Sequence, residues 1–202
     1  MALKHIIPLT AIVILLLISA TVPALALLPN GQLASEFKLT DLSNNVHSLS
    51  SYRGKVVVID FFMVSCSACK EDAKMNLVPL YAKSYSGNAK VQFLSVETSN
   101  ANADAIRSMY LKDTGVPWPV LTGGGGLFAK YSLPSLPTIY VIDPTGKVAL
   151  TMSYPTNVQT LKSTIDRLEH GSTTPEKTQT SAKSSAVRSR LNYPSAAFAD
   201  RR

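Results

Sequence analysis

The sequence predicts an α/β protein of three layers, in which a mixed sheet lies between layers of helix. Continuous runs of β-branched and aromatic residues, typical of strands buried on both faces, alternate with segments of helical periodicity. The last two predicted strands are joined by a short turn, so they form a hairpin and make the sheet mixed. With 202 residues, 46% of them hydrophobic, the chain is long enough for one folded domain, which is expected over residues 33–169.

The first half of this domain is predicted to contain a hairpin, a buried strand, a helix and a second buried strand, at Phe37–Leu49, Lys55–Phe62, Ser67–Ser84 and Val91–Val96. The hairpin arms alternate apolar and polar residues, and Asp41–Asn45 supplies the turn residues between them. Pro79 lacks the N–H group that a helix interior requires. The helix is therefore expected to break near Val78 and restart at Pro79.

The second half is predicted to contain a helix, a short strand, two paired strands and a closing helix, at Ala101–Lys112, Val120–Leu121, Pro137–Ile142, Val148–Met152 and Val158–Leu168. The first of these helices is expected to carry Ile106, Met109 and Tyr110 on one face. Asp143–Gly146 supplies the turn of the hairpin. The glycine run Gly123–Gly126 lacks the pattern of a phosphate-binding loop, and it predicts a flexible surface loop.

The N-terminal segment, residues 1–28, is predicted to direct export. Lys4 is followed by no charged side chain in residues 6–28, a stretch of about 35 Å as a helix, enough to span a bilayer. Ala24–Ala26 has the A-x-A pattern of a cleavage site. A signal peptide cleaved near Ala26 and a retained membrane anchor both remain open, and both place the rest of the chain outside the cytoplasm.

The C-terminal segment, residues 170–202, is rich in Ser and Thr, shows no apolar periodicity and predicts a disordered basic tail. The net charge of +7 arises mainly there, since the tail carries six basic and two acidic side chains. Residues 29–169 carry 13 basic and 11 acidic side chains and are nearly balanced. We therefore expect no nucleic-acid binding by the folded domain.

The motif Cys66-Ser67-Ala68-Cys69 follows a predicted buried strand directly and opens a helix. Free N–H groups at a helix start stabilise a thiolate, and the second cysteine, one turn on, is close enough to close a small disulfide ring. This context is typical of a redox-active pair. A zinc half-site would need two more ligands, and the chain has no third cysteine and only three scattered histidines. A purely structural disulfide is disfavoured, because a loop this short hardly restrains the unfolded chain. Two inert buried thiols are the third alternative.

Asp60 lies six residues before Cys66, inside an otherwise apolar run. Burial there would raise the pKa of its carboxyl group, which could then accept and return a proton as Cys69 changes state. The alternative is a solvated carboxylate at the strand end. Pro137 opens a late strand, a position where a missing N–H group is tolerated.

Taken together, these segments resemble the thioredoxin superfamily, and within it the TlpA/ResA-like extracytoplasmic thiol–disulfide oxidoreductases. The resemblance covers residues 35–169: the leading hairpin, VVVIDFF before CSACK, GVPWPVL in an inserted αβ segment, and LPTIYVIDPTGKV. It implies a thioredoxin-like three-layer α/β/α fold with a central mixed sheet, an N-terminal β-hairpin and that inserted αβ segment.

The resemblance also implies roles for individual residues. Cys66 would be the attacking sulfur and Cys69 the resolving one in a redox-active Cys66–Cys69 disulfide. Asp60 matches the buried acid of thioredoxins. Pro137 matches their cis-proline, packed against the disulfide, and Leu136 would offer backbone hydrogen bonds to a bound partner chain.

The sequence departs from the family at two places beside the cysteines. Ser65 stands where the family usually has an aromatic residue, and with Leu136 it is expected to bind substrate. Ser67 and Ala68 replace inner pairs that often contain proline. Because the inner pair tunes thiolate stability, the redox poise is left open.

The predicted function is that of an exported protein-disulfide oxidoreductase without metal or cofactor, favoured as a reductant over an oxidant. Its expected partners are exported proteins with disulfides or thiols and a membrane-bound thiol electron donor or acceptor, with membrane contact through residues 6–28 if they are not cleaved. One alternative is a thiol peroxidase, although the pattern P-x-x-x-[TS]-x-x-C is missing, with Ile59 and Met63 at two of its positions. The other is a Cu(I)-handling CxxC protein, for which Met63 is a nearby third ligand.

Overall fold

A seven-stranded mixed sheet organises residues 28–171, the part of the chain that the computed structural model describes. The strands are β1 (Lys38–Asp41), β2 (Val46–Ser48), β3 (Val56–Phe62), β4 (Val91–Glu97), β5 (Val120–Thr122), β6 (Thr138–Ile142) and β7 (Val148–Ser153). Their order across the sheet is β2-β1-β5-β4-β3-β6-β7. All the predicted strands are present, and the predicted α/β class is confirmed.

The predicted export segment and C-terminal tail lie outside the described residues, apart from Leu28, His170 and Gly171. Within residues 28–171, none of the helices combines the length and the apolar character needed to cross a membrane.

Strand β3 lies in the interior of the sheet, between β4 and β6, and is buried at every residue. It pairs in parallel with β4 and antiparallel with β6, while β4 pairs in parallel with β5. The C-terminal ends of β3, β4 and β5 therefore meet the N-terminal end of β6 at one edge of the sheet. We call this edge the CxxC edge, because Cys66–Cys69 follows β3 there.

The helical segments are α1 (Ser67–Asp72), α2 (Val78–Ser84), α3 (Ala103–Ile106), α4 (Lys112–Thr114), α5 (Leu127–Lys130) and α6 (Val158–Glu169). Two π-helical turns, Ala73–Leu77 and Arg107–Leu111, join α1 to α2 and α3 to α4. Residues 67–84 thus form one continuous helix, the CxxC helix, and residues 103–114 form a second, the inserted helix. Leu49–Tyr52 and Gly124–Gly126 are 3₁₀ turns.

The predicted break of the CxxC helix near Val78 is wrong. The backbone stays helical through this point, and the N–H group of Val78 donates to the carbonyl of Ala73, five residues earlier. A wider π turn directly before Pro79 accommodates a residue that has no N–H group of its own and whose ring would crowd the preceding α turn.

The inserted helix also departs from the predicted pattern. Ile106 and Tyr110 are fully buried as expected, but Met109 is 43% exposed. A π turn holds more residues than an α turn, so each residue advances by a smaller angle. The π turn at 107–111 therefore keeps Tyr110 on the inner face and turns Met109 toward solvent.

Alternate residues of β3 face two separate hydrophobic clusters, which is why the run carries no polar–apolar alternation. Val56, Val58 and Phe62 pack with Cys69 and the long helices on one face, the helix face. Val57, Ile59 and Phe61 pack on the opposite face against the first 3₁₀ turn, α5 and the segment before β1.

The glycine run is part of the packed structure, so the predicted flexible loop is wrong. Gly124 is buried at the end of β5. A Cβ atom on Gly124 would lie 2.4 Å from Val96 Cγ1 and 2.6 Å from the carbonyl oxygen of Glu97. Glycine is required here because the backbone passes this close to β4.

Candidate active site

The two cysteines form a disulfide at the CxxC edge, with their Cα atoms 5.3 Å apart. Cys66 is the N-cap of the CxxC helix, in an extended backbone conformation, and its Sγ accepts a hydrogen bond from the N–H group of Cys69 at 3.1 Å. Cys66 is half-buried, whereas Cys69 is completely buried. A partner molecule can therefore reach the first sulfur but not the second.

The helix start around Cys66 favours negative charge on that sulfur. The first turn holds free N–H groups and the positive end of the helix dipole, and it carries no acidic side chain. A thiolate formed at Cys66 on reduction would keep the N–H group of Cys69 as a donor. These are the conditions that lower the pKa of a cysteine at a helix N-terminus.

The segment before β6 lies directly beside the disulfide. The Leu136–Pro137 peptide bond is cis, as the resemblance implied. Sγ of Cys66 lies 3.8 Å from the carbonyl oxygen of Leu136. Pro137 is buried, Leu136 is half-buried between the two hydrophobic clusters, and Ser65 is exposed next to Cys66. The rim of the disulfide is thus formed in part by Leu136 and Ser65, the two residues predicted to bind substrate.

Asp60 lies in the middle of β3 on the helix face, between Val58 and Phe62, and is only 2% exposed, so its predicted burial is confirmed. Its Oδ2 accepts hydrogen bonds from Ser95 Oγ and from the hydroxyl of Tyr110, each at 3.0 Å. Burial raises the pKa of Asp60 to about 7, the two hydrogen bonds act to lower it, and the charge of Asp72 raises it. The carboxyl group can therefore hold or release a proton near neutral pH.

The partners of Asp60 form a buried network that sequence reasoning missed. The indole N–H of Trp118 donates to Ser95 Oγ at 3.0 Å, and Ser95 in turn donates to Asp60. Ser95 is the residue of β4 in parallel register with Asp60, so strand alignment would have found it. Tyr110 and Trp118 come from the inserted segment, and no local signal connects them with Asp60.

A second buried carboxylate, Asp72, stands on the CxxC helix and was also missed. It is 1% exposed and accepts hydrogen bonds from the N–H group and hydroxyl of Thr156, at 3.2 and 2.6 Å, and from Asn76 at 2.7 Å. Its position three residues after Cys69 places it on the same side of the helix, and this spacing was the available signal. Asp60 and Asp72 are thus two buried acidic side chains, one on β3 and one on the CxxC helix that also carries Cys69.

Within residues 28–171, no group of three or more His, Cys, Asp and Glu side chains is placed to hold a metal ion. At the positions that a peroxidase motif would need before Cys66, Ile59 is packed in the core and Met63 is half-buried. The geometry thus offers a dithiol–disulfide couple with nearby carboxyl groups.

A disulfide edge of this kind on a three-layer α/β/α sheet is the arrangement of thioredoxin-like thiol–disulfide proteins. Residues 30–151 match the AhpC/TSA family, and the chain belongs to that family.

Curated relatives are identical to the chain at about a third of the aligned positions. The thioredoxin-like protein YneN of Bacillus subtilis is 32% identical over 120 residues, which are 58% of this chain and 68% of YneN. The thiol-disulfide oxidoreductase ResA of Geobacillus kaustophilus is 31% identical over 121 residues, 58% of this chain and 66% of ResA. The chain thus spans about two thirds of the length of each relative.

Solved structures show the same fold. A protein of Chlorobium tepidum, provisionally assigned as the thiol:disulfide interchange protein DsbE, is 26% identical, with a TM-score of 0.61 over 70% of this chain and 99% of that one. A provisionally assigned protein disulfide isomerase of Bacteroides thetaiotaomicron is 24% identical, with a TM-score of 0.64 over 71% of this chain and 91% of that one. The predicted family resemblance and the predicted enzyme class, a thiol–disulfide oxidoreductase, are confirmed.

Proposed function

We propose that the protein is an exported thiol–disulfide oxidoreductase whose Cys66–Cys69 pair reduces disulfides in other exported proteins. The observation that carries this proposal is the asymmetry of the two sulfurs: Cys66 is half-buried at a helix start, and Cys69 is completely buried one turn on. In this proposal the first sulfur attacks a partner, and the second resolves the resulting mixed disulfide.

The exchange proceeds in two displacements, starting from the reduced pair. The Cys66 thiolate attacks one sulfur of a substrate disulfide, the substrate S–S bond breaks, and the first substrate thiolate leaves. Cys69 then loses its proton and attacks Sγ of Cys66, so the mixed disulfide breaks and the second substrate thiolate leaves. Two electrons pass from the dithiol to the substrate, and the proton of Cys69 plus one from solvent protonate the two substrate thiols.

The two buried carboxyl groups favour a reductant over an oxidant. A strongly oxidising pair requires a well-stabilised thiolate in its reduced form. Asp60 and Asp72 are both buried on the helix face that Cys69 occupies, and negative charge there destabilises a thiolate. The disulfide is thereby favoured relative to the reduced pair, which lowers the reduction potential.

Trapping tests the exchange directly. The Cys69→Ser variant retains the attacking sulfur and lacks the resolving one, so we expect it to accumulate a mixed disulfide with a substrate protein that carries an accessible disulfide. Cys66→Ser is the matched control, because it keeps a single buried thiol and should form no adduct. The absence of an adduct with Cys69→Ser, together with no disulfide reduction by the wild type, would remove the proposed function.

The reduction potential of the pair tests the direction. After equilibration with glutathione or dithiothreitol buffers, we expect a value near that of thioredoxin, about −270 mV. A value near that of DsbA, about −120 mV, would assign the protein as an oxidant that installs disulfides.

Export rests on the uncharged stretch of residues 6–28 and the A-x-A pattern at Ala24–Ala26. A protein outside the cytoplasm needs its own source of electrons, and we propose a membrane-bound thiol donor for that role. N-terminal sequencing of the protein from its membrane and soluble extracytoplasmic fractions tests the location. A start at Leu27 would identify cleavage after Ala26, and an intact N-terminus in the membrane fraction would identify an anchor. Recovery only from the cytoplasm would contradict export.

A further inference from the structure

The two oxygen atoms of Asp60 have different surroundings. Oδ2 lies 3.0 Å from both Ser95 Oγ and the Tyr110 hydroxyl. Both hydrogen bonds that Asp60 accepts from described side chains end on Oδ2, and neither involves Oδ1. The two oxygen atoms of this carboxyl group can therefore have different roles, because the two donors both bind Oδ2.

The direction of each hydrogen bond follows from the donors available. An indole N–H can only donate, so Ser95 Oγ accepts from Trp118 and directs its own proton to Asp60. The Tyr110 hydroxyl also donates to Oδ2. Because two protons already point at Oδ2, a third proton bound to that atom would displace one of them. Protonation of Asp60 therefore occurs on Oδ1.

Tyr110 is fixed as a permanent donor. It is completely buried, and its ring stacks on Phe62 with the centroids 3.7 Å apart. Burial and then the negative charge of Asp60 raise the pKa of the Tyr110 phenol well above its ordinary value. The π turn at 107–111 directs this side chain inward, and such turns occur frequently at functional sites.

Of the groups around Asp60, the hydroxyls of Ser95 and Tyr110 are the ones that favour its ionised form. Strand β6 presents Ile139 in register with Asp60, and the CxxC helix contributes Asp72, whose charge opposes ionisation. Among the described groups that act on Asp60, none is a cation. The balance between burial and two hydrogen bonds therefore decides when the proton leaves.

We propose that Tyr110 is a positioning residue of the redox site: with Ser95, it holds Oδ2 of Asp60 and reserves Oδ1 for the proton of Cys69 during exchange. This inference rests on the proposed function. In the resolving step, the S–H bond of Cys69 breaks as Oδ1 takes the proton, and the new thiolate attacks Cys66 and expels the substrate thiolate. Oδ1 then returns the proton to the departing thiolate, directly or through water, so Asp60 ends as it began.

The titration of Asp60, followed by ¹³C NMR of its carboxyl carbon in the purified disulfide form, tests the hydrogen bonds. A hydrogen bond to a charged group is lost in Tyr110→Phe, so we expect Asp60 to titrate about one pH unit or more higher than in the wild type. Tyr81→Phe is the matched control. It removes a hydroxyl from the same cluster, where Tyr81 packs edge-on against Trp118, and it should leave the titration unchanged.

The pH profile of the resolving step tests the role in exchange. In a single-turnover measurement, the rise in rate with pH should move upward in Tyr110→Phe, because the carboxylate that takes the proton forms only at higher pH. The same substitution made in an Asp60→Asn protein should cause no shift of the profile. Tyr81→Phe should follow the wild type.

Three results would overturn the inference. If Asp60 titrates at the same pH in the wild type and in Tyr110→Phe, the Tyr110 hydroxyl does not determine the pH at which Asp60 loses its proton. A shifted titration of Asp60 with an unshifted pH profile of the resolving step would show that Asp60 does not take the proton of Cys69. A wild type that performs no exchange would remove the proposed function itself, and the proton transfer with it, whatever the NMR titration shows.

Discussion

Replacing Asp60 by Asn should stabilise the protein at high pH and not at low pH. The pKa of Asp60 is raised by burial from 3.8 to about 7, so the folded state holds its proton more tightly than the unfolded state does. The stability that comes with the neutral carboxyl is fully present below about pH 4 and is lost as the pH rises through 7. The interval from 3.8 to about 7 corresponds to roughly 4 kcal/mol at about 1.4 kcal/mol per pH unit.

Urea unfolding of the disulfide form, from pH 4 to pH 9, measures this difference. The free energy of unfolding of Asp60→Asn minus that of the wild type should grow by about 1.4 kcal/mol per pH unit between pH 4 and 7 and then level off. Any constant offset caused by the amide is read at pH 4 and subtracted. Asp104→Asn is the control for the loss of a carboxyl group outside the core, since the Asp104 side chain is 98% exposed.

The outcome that refutes this reasoning is a difference that does not change between pH 4 and pH 8. Asp60 would then carry the same charge in the folded protein as in the unfolded chain throughout that range. A difference that shrinks with rising pH would be more damaging still. It would mean that the hydrogen bonds of Ser95 and Tyr110 outweigh burial and hold the pKa below its ordinary value.

Acid should weaken the N-terminal hairpin. Burial acts to raise the pKa of Asp41, but hydrogen bonds, chiefly the one with His47, hold this pKa at about 2. Its stabilisation is present above about pH 4 and lost toward pH 2, so unfolding curves of the wild type and Asp41→Asn should converge there. Gly124→Ala should cost about 2–3 kcal/mol and lower Tm, because the new Cβ would lie 2.4 Å from Val96. Equal loss in Gly126→Ala, where a Cβ meets nothing within 4 Å, would contradict that reason. The reduced protein should not consume hydrogen peroxide rapidly, and rapid consumption would revive the peroxidase alternative.

The sheet and the disulfide were predictable because their signals are local. The run before Cys66 is apolar enough to require burial on both faces, and Asp60 is conspicuous within it. The same run fixes where the helix must start, so the positions of Cys66 and Cys69 at the end of a central strand follow from a dozen consecutive residues. The hairpin formed by β6 and β7 is likewise specified by its own turn.

What the sequence did not predict depends on contacts between distant segments. Tyr110 reaches Asp60 across 50 positions of the chain, through a π turn that the apolar periodicity does not announce. That turn is also why Met109 was placed on the wrong face. Considered alone, four consecutive glycines indicate a flexible backbone. Only the position of the neighbouring β4 shows that Gly124 has no room for a side chain.

The described domain begins and ends at the same side of the molecule, opposite the disulfide. Gly31 donates to the carbonyl of Val148, where β7 starts, and Glu169 at the end of α6 accepts from Asn88, just before β4 starts. The seven residues of β3 separate that side from the CxxC edge by roughly 23 Å. A tether, fusion partner or solid support joined at either end would therefore hold the domain from behind and leave Cys66 presented outward.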